Sequence, residues 1–198
     1  LYNNNPVKLD IAGTVESIAK IDADLLYRCY NTFYNLNNMF LSIAGNVEVD
    51  KVIEICDEML KPCKNHNLET VFEKEPETVF ERETVQNLEV ATPLFNIGFK
   101  AQPESGRAGL KADIETNIVL ALLADDSSPL YKKMFDKGLI NSNFGTEVFS
   151  GDGFFCSIFG GESRNPHEVL SEIISEIERV KIEGFDEERF EIIKKSYY

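Results

Sequence analysis

Apolar positions recur at helical spacing through most of the chain. Residues 22–33 carry Leu25, Leu26, Cys29, Tyr30 and Phe33 on one stripe, with Asp22 placed to cap the N-terminus. Asn35, Asn37 and Asn38 then break the helix, because short polar side chains compete for backbone hydrogen bonds. Residues 39–45, Met-Phe-Leu-Ser-Ile-Ala-Gly, form a continuous apolar run too short for an ordinary helix. That run predicts a strand covered on both faces. Asn46 is placed to cap a helix over 48–60, whose apolar face is Val49, Val52, Ile53, Cys56, Met59 and Leu60. Upstream, Gly13 marks a backbone joint and Thr14 caps a short helix over 15–19.

The pattern fades over residues 61–78, which hold two prolines, many charges and few large apolar residues. This predicts a linker between two bodies, with its acidic residues solvated. Beyond it, alternation over 78–89 (Val79, Glu81, Glu83, Val85, Asn87) and the run at 93–101 predict two strands. A helix follows over 107–123, with Leu110, Ile114, Ile118, Leu120 and Leu122 facing inward. A second restarts at Pro129 and stops at Gly138. Strands over 143–150 and 153–159, joined by Gly151-Asp152, predict a hairpin. Asn165 and Pro166 open a helix to about residue 182. Gly184-Phe185-Asp186 turns the chain into a last helix from Glu187. Adjacent strands joined by short turns, with helices between the pairs, give an α+β architecture: an antiparallel sheet with helices packed on one face.

Composition narrows the function classes. The chain has 34 acidic and 20 basic residues, net charge −14, which argues against nucleic acid and anionic membrane surfaces as partners. No apolar run reaches membrane-spanning length. The four cysteines are scattered, with Cys29 and Cys56 on apolar helix faces and Cys156 in an apolar strand. They read as buried free thiols in a reducing compartment, hence a cytoplasmic protein. Cys63 and His66, spaced C-x-x-H, could with Cys56 supply half a zinc site, but no second such pair follows. His167 reads as a solvated surface residue. There is no Walker loop and no G-x-S-x-G, and Ser105 to Gly109 lacks the spacing of a dinucleotide fingerprint. The chain lacks an initiator Met and stops inside an amphipathic helix, so it reads as an internal piece of a longer protein.

Three passages resemble the M16 family of zinc metallopeptidases, which includes insulin-degrading enzyme, pitrilysin and the mitochondrial processing peptidase. Phe33-Tyr34-Asn35-Leu36-Asn37-Asn38-Met39 with the following LSIAGNV is similar to the family's FY-x-x-x-NM-x-L-x-I-x-G-N-V segment. Residues 128–139, SPLYKKMFDKGL, resemble its helix running into a G-L before the hairpin. Residues 184–190, GFDEERF, resemble its acidic helix entry. The opening PVKLDIAGTVESIAKI is similar to the bacterial YmfH-type branch.

The resemblance implies a LuxS/MPP-like metallohydrolase fold. Residues 1–68 would be the C-terminal part of a first, catalytic-type domain, 69–78 a linker and 79–198 a second domain. It implies zinc in the longer protein, held by an H-x-x-E-H helix and a later Glu. This chain has no H-x-x-E-H, so no residue is assigned as ligand or catalytic base and none is expected to bind zinc. The family's substrate-holding Arg and Tyr fall at Phe135 and Asn141, neither of which can do that work. The implied function is a non-catalytic, chamber-forming and substrate-contacting part of a peptide-hydrolysing zinc peptidase. The alternative is part of an inactive homologue that acts as scaffold or partner subunit. Ile11, Ala12, Gly13, Thr14 and Ser17 are candidates to line peptide substrate. Their other reading is a structural loop with a tight turn at Gly13. Partners implied are a peptide substrate and another M16 chain in a homo- or heterodimer. On this reading strand 39–45 lacks its native sheet, so non-native pairing or dimer contacts are expected there.

Overall fold

The computed structural model describes residues 1–197, which divide into two compact units. One unit, Leu9–Val71, is helical. It holds α1 (Val15–Ile18), α2 (Ala23–Phe33) and α3 (Val49–Met59). Asp22 caps α2 by accepting from the Leu25 N–H at 2.8 Å, as its side-chain chemistry predicts. The α3 N-cap is Glu48, which makes no side-chain cap bond, so the cap expected from Asn46 is not formed.

The other unit comprises Leu1–Lys8 and the chain from Phe72 onward. It is α+β and contains β1 (Leu94–Ala101), α4 (Gly106–Ala124), α5 (Pro129–Asp136), β2 (Gly145–Gly151), β3 (Phe154–Glu162), α6 (Pro166–Glu183) and α7 (Glu187–Ser196). The three strands form one antiparallel sheet in the order β1-β3-β2. Ser128 caps α5 through the Tyr131 N–H at 3.0 Å with Pro129 in its first turn. Gly138, at φ +67°, ends it as expected.

Cross-strand partners point to the same side of a sheet, so the register sorts the faces. Ile97 lies opposite Phe159, which lies opposite Thr146, while Phe95 and Phe99 share the Ile97 face. This face packs on the helices: Phe95 and Phe159 join Leu120, Leu123, Leu130, Met134, Val169 and Ile173 in the core. The opposite face presents Gly98, Lys100, Cys156 and Phe149. It is covered by the N-terminal residues, with Tyr2 buried and edge-on to Phe154 at 5.9 Å between ring centres.

Three further expectations are corrected. Residues 39–44 take no strand and lie exposed, because no ladder partner for them occurs among the described residues. Residues 78–89 also form no strand. Their polar backbone groups go elsewhere: the Thr78 carbonyl accepts from Lys100 and Asn3, and the Phe80 N–H donates to the Leu1 carbonyl. Cys29 is exposed and Cys56 half-buried, so only Cys156 of the three is a buried thiol. Burial pushes the Cys156 thiol pKa up. No helix of the described residues is long and apolar enough to cross a membrane.

Candidate functional site

The five candidate residues form one short, exposed element at the start of the helical unit. The Asp10 side chain accepts from the Ala12 N–H at 2.9 Å, and the Asp10 carbonyl accepts from the Gly13 N–H at 3.0 Å. Gly13 follows at φ +75°, a conformation that L side chains rarely adopt, and this turns the chain. Thr14 and Ser17 then close a reciprocal capping box. The Ser17 N–H donates to Thr14 Oγ1 at 3.2 Å, and the Thr14 N–H donates to Ser17 Oγ at 2.8 Å. The structure thus joins Thr14 to Ser17 and leaves the Ile11 side chain fully exposed beside the turn. The element offers apolar surface and hydroxyls, and it contains no acid–base pair suited to catalysis.

The candidate metal residues do not assemble. Cys63 Sγ donates to Asn35 Oδ1 at 3.3 Å and accepts from Asn37 Nδ2 at 3.4 Å, which ties it into an asparagine network. His66 lines a polar depression of about 180 Å³ with Asn35, Asn37, Asn38, Asn65 and Asn67. Among the described residues no three His, Cys, Asp or Glu side chains converge so as to hold a metal ion. His167 is exposed on α6, 3.3 Å from Glu83.

One residue escapes sequence reasoning. Glu75 lies in the stretch expected to be solvated, yet its side chain is only 7% exposed and pairs with Lys100 of β1, 5% exposed, at 2.7 Å. Glu75 Oε1 accepts from the Asn3 N–H at 2.6 Å, and Oε2 accepts from the Asn4 and Asn5 N–H groups at 2.8 Å each. Burial pushes its pKa up, but the Asn3 N–H, Lys100 and the Asn5 and Asn4 N–H groups outweigh it. The carboxyl is held well below the usual carboxylate range. Lys100 is the signal that could have found it: a lone cation in a largely apolar strand needs an acid to pair with.

Residues 20–197 match the family model described as the peptidase M16 inactive domain. The chain is 34% identical over 200 residues to the uncharacterized zinc protease YmfH of Bacillus subtilis (strain 168), a match covering 98% of this chain and 46% of that protein. It is 28% identical over 196 residues to the uncharacterized zinc protease YmxG of the same organism, with the same coverages of 98% and 46%. Among solved structures it is similar to an M16-like peptidase from Alicyclobacillus acidocaldarius, with TM-score 0.89 and 32% identity over 99% of this chain and 47% of that one. A protease from Helicobacter pylori shares the fold at TM-score 0.79 and 19% identity, over 99% of this chain and 48% of that one. The chain spans about half the length of the curated relatives it matches.

Proposed function

The chain belongs to the M16 peptidase family, and from that premise we propose that it is a non-catalytic, chamber-forming and substrate-contacting part of a zinc-dependent enzyme that hydrolyses peptides. The observation that carries this reading is the fit of 99% of the chain, at TM-score 0.89, onto about half of an M16-like peptidase. The residues present do not fit the family's zinc site, since the chain has two histidines, His66 and His167, and no H-x-x-E-H. Metal and base chemistry are therefore assigned to residues outside 1–198. Peptide would be held by backbone pairing and apolar contacts. The exposed Ile11 with Ala12, and the rigid turn at Gly13, Thr14 and Ser17, suit that contact.

The test compares the longer protein with residues 1–198. The longer protein is expected to bind zinc and cleave an unstructured peptide, while residues 1–198 do neither. If the longer protein binds no zinc and cleaves nothing, the chain belongs to an inactive homologue serving as scaffold or partner subunit.

The same reading assigns residues 39–45 to a sheet completed by a strand from outside this chain, or by another M16 chain. Phe40 is 92% exposed, with Met39, Leu41 and Ile43 exposed beside it. An apolar run of this kind invites strand addition. Residues 1–198 alone are expected to self-associate. Phe40→Lys should weaken that association by about tenfold or more, since burying one Phe is worth about 1.5–3 kcal/mol. Sedimentation velocity over a concentration series reads the change. A wild-type chain that stays monomeric throughout removes this assignment.

A further inference from the structure

The chain leaves the sheet–helix unit after Lys8 and re-enters it at Phe72. Inside that unit the two connecting segments lie side by side across the outer face of the sheet. The Asn3 side chain donates to the Thr78 carbonyl at 2.9 Å, the Asn4 side chain to the Lys74 carbonyl at 3.0 Å, and the Phe80 N–H to the Leu1 carbonyl at 3.2 Å. Both segments converge on one buried ion pair. Glu75, in the returning segment, accepts the N–H groups of Asn3, Asn4 and Asn5 in the leaving segment. Lys100, on β1, donates to Glu75 at 2.7 Å, to the Thr78 carbonyl at 3.0 Å and to the Leu1 carbonyl at 3.4 Å.

We propose that Glu75 and Lys100 form a single latch holding both connecting segments on the sheet, so that the two segments open together and uncover its outer face. Every polar atom of the latch is shared between the segments or with β1, so neither segment can leave without stripping a buried charge of its partners. Gly98 and Gly153 show how closely the segments seat. A Cβ on Gly98 would fall 2.6 Å from the Leu1 side chain, and one on Gly153 would meet both Asn5 and Phe72. Cys156, 1% exposed, shares the outer face with Phe154, on which Tyr2 packs, and serves as an internal reporter of opening.

Hydrogen exchange and maleimide labelling of the whole 198-residue chain test this. In Glu75→Gln the amides of Asn3, Asn4 and Asn5 and the amide of Phe80 should all exchange about tenfold faster or more, and Cys156 should label faster by a similar factor. Amides of Leu123 and Phe159 should remain far better protected than these positions, so that the opening is local to the two segments. The milder Glu75→Asp keeps the charge but shortens its reach, and should shift the same amides and Cys156 together by a smaller factor. Accelerated exchange at Asn3 to Asn5, with Phe80 and Cys156 still protected, would overturn the latch and leave two independently held segments. No change at any of these positions would overturn it equally. Should Glu75→Gln unfold the unit, shown by lost protection at Leu123 and Phe159, the Glu75→Asp pattern decides by the same criterion.

Discussion

Replacing Phe159 by alanine is expected to destabilise the sheet–helix unit by about 3–5 kcal/mol, the range for emptying a fully buried aromatic site. Phe159 is 1% exposed, at the centre of the middle strand. Ile97 flanks it on one side and Thr146 on the other, and its ring stands edge-on to Phe99 at 5.7 Å. The site cannot collapse easily, because the strands on both sides are fixed by ladder hydrogen bonds and the helices close over it. Phe149 is the comparison. It faces the other side of the sheet on an edge strand and is 41% exposed, so Phe149→Ala should cost roughly 1 kcal/mol. Urea denaturation followed by far-UV circular dichroism measures both. Equal losses for the two variants would mean that the helices do not pack on the Phe159 face.

The contrast shows what a sequence can and cannot disclose about this chain. The hairpin, the helices from α4 to α7 and the caps at Thr14 and Asp22 were legible because each depends on residues close together in the chain. Thr14 caps the helix that starts at the next residue, and Pro129 with Gly138 brackets α5. A strand is different, since it is a relation between two segments. The apolar run at 39–45 records a demand for burial, and the alternation at 78–89 records a two-residue period, but neither names a partner. Among the described residues neither finds a ladder. Glu75 was illegible for a related reason. It stands between Glu73 and Glu77 in a charged, proline-containing stretch and looks like its neighbours. Its burial comes from Asn3, Asn4 and Asn5, some 70 positions upstream, and from Lys100 on the sheet. The candidate site divides the same way. The Gly13 turn and the Thr14 cap were readable from adjacent residues, whereas contact with a peptide is a relation to another molecule.

Glu75→Ala is expected to cost about 3–5 kcal/mol, because breaking a buried pair leaves the remaining charge without compensation. Lys100 would stay buried without its counter-ion, and the N–H groups of Asn3, Asn4 and Asn5 would lose their acceptor. Lys100→Met should cost less, since Glu75 keeps those three N–H partners. The double variant Glu75→Leu/Lys100→Met should recover only part of the loss, because an apolar side chain cannot satisfy the three amides. The pH dependence has a defined sign. The folded carboxyl titrates below the ordinary value of 4.5, as its N–H and Lys100 partners prevail over burial. The unfolded chain therefore binds the proton first, so the stabilisation is complete above about pH 5 and is lost as pH falls through the folded pKa. The stability gap between wild type and Glu75→Ala should accordingly stay constant from about pH 7 to pH 5 and narrow steadily below. Urea denaturation of both proteins across this range measures it. A gap that stays level well below the ordinary carboxyl value, or widens, would show that Glu75 does not owe its ionisation to this cluster of donors.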